Sequence, residues 1–427
     1  MSVLDRLALS VPDILLPAEG VDLTRWAVIA CDQFTSEPEY WEEVRRFVGP
    51  APSTLNLIFP EAFLGKPGEE ERIASIRAAM RDTLARGLLR ADRGFVYIER
   101  QTGARTRRGL LACLDLEAYD YAPGSLSLIR ATEGTILDRI PPRVKIREGA
   151  PLELPHIMVL FDDRADTVIG PLAEARDRLE KLYDFELMMD SGRLAGYRIG
   201  AGAIEDGVMR ALESLADPEA FRLRYGVPKE KPVLLFAMGD GNHSLATAKA
   251  IWERTKRNDP QGAVRSPLRH ALVELVNLHD PALVFEPIHR VVFGVGHDPV
   301  EEWKRSESGE GVVFHPVAGL EEMRRRVDAG IGRSHKIGVV RPEGFGVLEV
   351  NEPSAQMPVG SLQGFLDRFL EQGGAREADY VHGAEIVSQL GRRPGNAGFY
   401  LPAMAKDDLF RTIILDGVLP RKTFSMG

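Results

Sequence analysis

Cysteine is nearly absent. Cys31 and Cys113 are the only two in 427 residues. They share no CxxC spacing or similar context, so neither a thiolate zinc site nor a disulfide framework is expected. This usage fits a reducing cytoplasm. Long apolar runs are missing too: the opening MSVLDRLALSVPDILLPAEG is interrupted by Asp5, Arg6 and Asp13. No later run approaches the roughly 18 residues of a spanning helix, so no secretion and no membrane insertion is expected. Positive charge is in deficit, with 54 Lys and Arg against 63 Asp and Glu and a net charge of −9. Such a field repels DNA, RNA and anionic lipid surfaces, so no nucleic acid and no membrane partner is expected, and an anionic ligand must be held locally. GxxxxGK[ST], HExxH and GxSxG do not occur, which argues against P-loop, zincin and α/β-hydrolase chemistry. Gly200-Ala201-Gly202 carries Glu205 at the third glycine position of a dinucleotide fingerprint and reads as a turn. No fixed-period repeat or low-complexity segment is present, which excludes solenoids.

What is present is the composition of an ordinary globular chain, 44% hydrophobic and 27% charged, long enough for two or three units. Strands are expected at Trp26–Ala30, Leu55–Phe59, Phe95–Glu99, Leu110–Leu116, Leu126–Arg130, Ile157–Phe161 and Val233–Ala237. Helical spacing runs through Ile73, Ile76, Met80 and Leu84, and again through Leu172, Leu179 and Leu182. Further on, Ala271–Leu278, Ile288–Phe293, Ile337–Val340 and Gly346–Val350 read as strands, and Val300–Trp303 and Leu320–Val327 as helices. The class is α/β or mixed α+β. Pro141-Pro142, Arg147–Pro155 and Ser306–Gly311 punctuate the chain, dividing it into an N-terminal region 1–150, a core region 151–305 and a C-terminal region 306–427, closely packed or interwoven.

Three passages carry chemistry. In KPVLLFAMGDGNHSLATAKAIWERTK an apolar strand meets the turn Gly239-Asp240-Gly241, and Leu245, Ala248 and Trp252 then take helical spacing. A helix N-terminus flanked by glycines leaves backbone N–H groups for a phosphate, with Asp240 placed to hold Mg2+ and His243 to donate to a phosphoryl oxygen. The plain alternative is a strand-to-helix turn capped by Asn242 or Ser244. The second passage, IRATEGTILDRIPPRVKIRE, sets Arg130, Arg139, Arg143, Lys145 and Arg147 against Glu133, Asp138 and Glu148, either welcoming a phosphate or pairing its charges on the surface. The third is Pro287-Ile288-His289-Arg290, on a strand where only one of His289 and Arg290 can face a given site.

These passages resemble the DUF1015 family, uncharacterised proteins with a DGHHR-type motif. The likeness includes Cys31-Asp32-Gln33 with Trp41, Leu57-Ile58-Phe59-Pro60-Glu61, Ile129 to Thr135, Pro155–Asp163, GDGNHS, Pro287 to Val292, and Leu419-Pro420-Arg421-Lys422-Thr423. Asn242 stands in place of the motif's first His and Ser244 in place of its Arg, which removes that family's phosphate-binding arginine. The turn also resembles that of the free serine kinases of the ParB/sulfiredoxin-like superfamily. The resemblance implies a ParB/sulfiredoxin-like nucleotide-binding core, and a nucleotide-dependent phosphotransferase that uses Mg2+ and ATP or ADP on a small hydroxylated metabolite. It implies Glu133, Asp240 and His243 as catalytic residues, Asp240 also as the metal ligand. Arg130, Gly239, Gly241, Asn242, Ser244, Arg290, Lys422 and Thr423 are implied as phosphate or nucleotide contacts. The alternatives are a ParB-like nucleotide switch without DNA binding and a phosphate-ester or nucleotide hydrolase. Sulfiredoxin chemistry is not expected, because Asn242 stands where that reaction needs a thiolate. The three passages are expected to converge on one cleft.

Overall fold

Val159, Leu160 and Phe161 are wholly buried, as are Phe236, Ala237 and Met238. Runs apolar at consecutive positions belong at the centre of a sheet covered on both faces. The structure, a computed structural model, describes residues 2–29, 34, 37–155, 157–306, 311–330 and 333–426. Ala30, Cys31, Asp32 and Gln33, His156, and residues 307–310 of the Ser306–Gly311 passage lie outside the described residues. Backbone contacts divide the chain into two units: Met1–Ala131 with Thr135–Ala282, and Thr132–Gly134 with Leu283–Gly427.

The strands of the first unit are β1 Leu9–Ser10, β2 Asp13–Pro17, β3 Leu89–Arg93, β4 Phe95–Thr102, β5 Arg105–Asp115, β6 Tyr119–Asp120, β7 Ile129–Arg130, β8 Met158–Phe161, β9 Glu180–Glu186, β10 Arg193–Ile199, β11 Phe236–Asp240 and β12 His270–Asn277. They form a mixed sheet in the order β6-β7-β11-β8-β12-β5-β4-β10-β9, with β1 beside β5; β2 and β3 make a separate ribbon. Regions 1–150 and 151–305 are therefore interleaved as strands of one sheet as far as Asn277. β4 and β5 join through Gly103-Ala104, with Gly103 at a φ of 58° that suits the first position of a two-residue hairpin turn. β7 runs parallel to β11, β11 antiparallel to β8, and β8 parallel to β12. Helix Ala203–Leu215, through Val208, Met209 and Leu212, and helix Asn242–Asn258, through Leu245, Ala248 and Trp252, join the core built on Val159, Phe161, Phe236 and Met238. Each large apolar side chain so covered contributes roughly 1.5–3 kcal/mol.

The mixed class holds, and most of the expected strands and helices form. Three readings need correction. Leu55–Phe59 is no strand: Ser53 accepts from the Leu55 N–H and starts a short 3-10 turn, from which Leu57 and Phe59 reach Ile73 and Ile76. Trp26 closes the short helix Leu23–Trp26 that Asp22 caps. Helical spacing through Leu179 and Leu182 is overridden, because Glu180–Glu186 pairs with β10 as an edge strand. No helix of the described residues is long and apolar enough to cross a membrane.

The second unit contains β13 Phe285–Phe293, β14 Val312–Val317, β15 His335–Arg341, β16 Gly344–Val350, β17 Glu377–His382, β18 Asn396–Tyr400 and β19 Phe424–Met426. Its antiparallel sheet has the order β14-β16-β15-β18-β13-β17, and β19 pairs with β13. Trp303 stacks on Phe365 at 4.6 Å. Helix Ala384–Gly391 lies so close to β18 that a Cβ on Gly398 would come within 2.8 Å of the Val387 carbonyl oxygen, and one on Gly391 within 2.7 Å of the Gly398 nitrogen. Gly398→Ala should therefore cost about 1–3 kcal/mol through overpacking. Gly364→Ala, in the open interior of helix Pro358–Glu371, should stabilise by about 0.5–1 kcal/mol. Urea unfolding of the two variants separates them by sign; a neutral Gly398→Ala would mean that the helix does not rest on this strand.

Candidate functional site

β11 ends in an irregularity that shapes the turn after it. Its pairing with β8 passes from Met238 opposite Val159 to Asp240 opposite Met158, leaving Gly239 as an extra residue. A Cβ on Gly239 would lie 3.0 Å from Leu160 Cγ and 3.2 Å from the Met158 carbonyl oxygen, so only glycine passes there without displacing β8. Asp240 Oδ1 accepts from the Gly241 N–H at 2.7 Å. Gly241 itself is left-handed, at φ 80° and ψ 26°, and is the N-cap residue of helix Asn242–Asn258. No side chain caps that helix. Asn242 and Ser244 are therefore not its caps; both lie inside the first turn, whose N–H groups have no intrahelical acceptor. Asn242 Oδ1 is buried without a hydrogen-bond partner. The His243 carbonyl accepts from Thr247 Oγ1 at 2.7 Å, and the Ser244 carbonyl from Arg147 Nη1 at 3.3 Å.

Helix Ile140–Arg147, the heart of the basic passage, packs against helix Asn242–Asn258. Its cations are already matched. Arg143 pairs with Glu61, Lys145 with Glu69 and Glu70, and Arg147 with Glu153 at 2.6 Å. The passage is thus charge-paired with carboxylates from other segments. Arg130, 2% exposed, donates to the carbonyls of Ser127, Pro232 and Val233 at 2.7, 3.1 and 3.4 Å. Burial brings its guanidinium down to about 10. It ties β7 to the segment entering β11.

In the second unit four of the expected residues come together. Arg290 has no exposed surface and donates to the carbonyls of Ile288, Lys422 at 3.0 Å and Arg421 at 2.8 Å, and to Gln363 Oε1 at 3.3 Å. Its guanidinium also lies 4.9 Å from the centre of the Tyr380 ring. Burial pulls its pKa down to about 10. The C-terminal turn thus wraps the guanidinium, with Lys422 at a positive φ of 53° and Thr423 Oγ1 donating to the Pro420 carbonyl at 2.6 Å. Glu133 joins it: its backbone bridges Leu419, and the backbone N–H groups of Thr423 and Lys422 favour its ionised form. Burial pushes the Glu133 carboxyl above its usual range, against the lowering pull of those amides, Lys422 and Arg290. His289, by contrast, stacks on Tyr400 at 4.5 Å and accepts from the Leu401 N–H at 3.1 Å. Burial first, and Arg290 second, take it down to about 4, so it is a neutral packing residue. Glu133, Arg290, Lys422 and Thr423 therefore share the second unit, while Arg130, Gly239, Asp240, Gly241, Asn242, His243 and Ser244 belong to the first.

The DUF1015 sequence pattern, described as a protein of unknown function, matches residues 15–368. The chain belongs to the DUF1015 family. Glu133, Asp240, His243 and Arg290 lie within the DUF1015 match; Lys422 and Thr423 lie beyond it. No curated protein matches the chain. Among solved structures, it is similar to a free serine kinase variant in complex with AMP, at TM-score 0.38 and 11% identity over 76% of this chain and 89% of that one. A free serine kinase variant in complex with ADP gives 0.37 and 11% over 77% and 90%, and a conserved hypothetical protein from Pyrococcus furiosus 0.35 and 10% over 74% and 90%.

One polar cluster went unread in the sequence. Asp162, 8% exposed, receives Tyr225 Oη at 2.5 Å and lies 2.7 Å from His279 Nε2. Burial works to raise its pKa, and the bonds to His279 and Tyr225 outweigh it and hold the carboxyl below its usual range. Nearby, Arg108 meets Asp166 at 3.0 Å and Asp280 at 3.6 Å. The signal was there in the runs FDD and HDP after the apolar strands β8 and β12. Cys113 is inert, since burial pushes its thiol up to about 11. Among the described residues no group of three or more His, Cys, Asp or Glu is placed to hold a metal.

The Arg290 geometry is testable. Arg290→Leu leaves the carbonyls of Ile288, Arg421 and Lys422 without their donor, and each buried unsatisfied group costs about 1–3 kcal/mol. A loss above about 3 kcal/mol in denaturant unfolding is expected. A loss below about 1 kcal/mol would mean that the guanidinium is not an anchor of the C-terminal turn.

Proposed function

We propose that this protein is a nucleotide-dependent phosphotransferase acting on a small hydroxylated metabolite. The observation that carries the reading is the uncapped start of helix Asn242–Asn258 behind a left-handed Gly241. Seventeen residues of aligned peptide dipoles place about half a positive charge there, and no side chain caps it. A phosphate does. The buried Asn242 Oδ1 is an acceptor awaiting a donor of the kind a nucleotide's amino or hydroxyl group supplies.

In this reading Gly239 and Gly241 let the phosphates approach the backbone, and Asn242 and Ser244 lie beside them in the first turn. His243 donates to the phosphoryl group in transfer, and Asp240 supplies a carboxylate at the same turn. One carboxylate accords with Mg2+, which keeps much of its shell as water and substrate phosphate and supplies charge neutralisation when bound. Glu133 is assigned the base that takes the hydroxyl proton. Its carboxyl, raised by burial, is a better proton acceptor when ionised than an exposed one. Arg130 acts by holding β7, and Arg290, Lys422 and Thr423 by shaping the amides around Glu133.

Three measurements test the reading. ATP or ADP with Mg2+ should raise the unfolding midpoint, since a ligand that binds only the native state stabilises it by RT ln(1 + [L]/Kd). Incubation with ATP or ADP and hydroxylated metabolites should yield a phosphorylated product; free phosphate alone would make it a hydrolase, and bound nucleotide without turnover a switch. Asp240→Asn should abolish turnover while changing stability by about 0.5 kcal/mol or less. Unchanged turnover would return GDGNHS to a plain turn. For Glu133→Gln a loss of about 10²–10⁴-fold is expected. Because the base must be ionised, wild-type turnover should fall as pH drops through a value above the ordinary Glu pKa of about 4.3, and Glu133→Gln should lose that limb.

A further inference from the structure

Helices Pro38–Val48 and Glu69–Ala85 and the segment 55–63 border a surface concavity of about 310 Å³ that phosphoryl transfer does not use. Its wall mixes the apolar side chains of Trp41, Ile58, Phe63 and Ile76 with the polar ones of Asn56 and Ser75. Two arginines, Arg45 and Arg72, line it as well. A concavity of this size that offers both apolar and polar groups suits a small molecule.

The charge is what identifies the ligand. Among the described residues neither Arg45 nor Arg72 has a carboxylate within ion-pair distance, although acidic residues are close in sequence: Arg46 takes Glu43, and Lys145 takes Glu69 and Glu70. Two like charges lining one concavity repel each other, and an oxyanion between them reverses the sign of that interaction. The Arg72 guanidinium lies over the Phe63 ring at 4.0 Å. A guanidinium held over a ring is attracted by its face, and its planar fork of N–H groups suits bidentate recognition of a carboxylate.

We propose that this cavity binds a small organic carboxylate with an apolar body, the carboxylate held by Arg45 and Arg72 and the body packed against Phe63, Ile58 and Trp41. The volume equals that of about ten water molecules in the liquid, which suits a ligand of bicyclic size or smaller. The site stands independently of the phosphotransfer reading, and its test needs no nucleotide.

The test is calorimetry and saturation-transfer NMR with 2-naphthoate, indole-3-acetate and 4-methylpentanoate, each beside its neutral primary amide. At least one carboxylate should bind saturably with one-to-one stoichiometry, at least about tenfold tighter than its amide. Arg45→Gln and Arg72→Gln should each weaken it at least about tenfold with the unfolding midpoint retained. Ala79→Phe, which fills the cavity from its helical wall, should abolish binding. Failure of all three carboxylates to bind at millimolar concentration overturns the proposal. So does equal binding of the amides, or wild-type affinity in both arginine variants. If Ala79→Phe does not fold, the arginine variants decide alone.

Discussion

A sheet whose central strands are buried on both faces leaves polar chemistry only its strand ends. β8 is apolar at every position and β11 from Phe236 to Met238, while the interior Glu274 of β12 is paired with Arg107. An ionised group inserted among them without such a partner would have to give up its hydration for nothing. Because β11 runs antiparallel to β8 while β12 runs parallel to it, Asp240 comes level with Met158, where β8 begins, and Asp162 and His279 follow where β8 and β12 end. The candidate phosphate turn and the Asp162 cluster are thus at opposite ends of the same strands. The polar groups gather at or just beyond the ends of these strands.

The same economy of hydration governs the cations. Arg130 and Arg290 are nearly or wholly inaccessible, and each directs its donors at backbone carbonyls. A carbonyl carries only a partial charge, so such an arginine keeps its own positive charge while organising the loops around it. Around Arg290 this brings the amides of Lys422 and Thr423 onto Glu133. A carboxylate favoured by two amides and two cations, Lys422 and Arg290, yet shielded enough from water for its pKa to rise, is poised between a structural and a chemical role.

Surface cations behave differently. Arg143, Lys145 and Arg147 each meet a carboxylate from another segment. Exposed pairs of this kind contribute little to stability, about 0–1 kcal/mol, but they remove the local positive field that their sequence density suggests. What remains for an anion at the GDGNHS turn is the helix itself and the glycine geometry before it. Arg45 and Arg72 are the contrasting case, cations lining one concavity without a carboxylate partner among the described residues.

The sequence by itself determined what depends on neighbours a few residues away. The apolar runs of β4, β5, β8 and β12, the helical spacing of Ile73, Ile76 and Met80, and the strand, glycine turn and helix around Asp240 follow from side-chain periodicity and from glycine's access to positive φ. Tertiary structure alone decided where competing local preferences balanced. Leu55–Phe59 has strand composition but no partner strand, and Leu182 has helical spacing but an open edge at β10 to pair with. It also decided which charges are satisfied. Glu61 meets Arg143, Glu153 meets Arg147, and the C-terminal turn closes on Arg290 and Glu133 across far longer stretches of chain. An ion pair or hydrogen bond acts over about 3 Å of space whatever the distance along the chain, so composition reveals that such groups exist and only the fold reveals which of them are already taken.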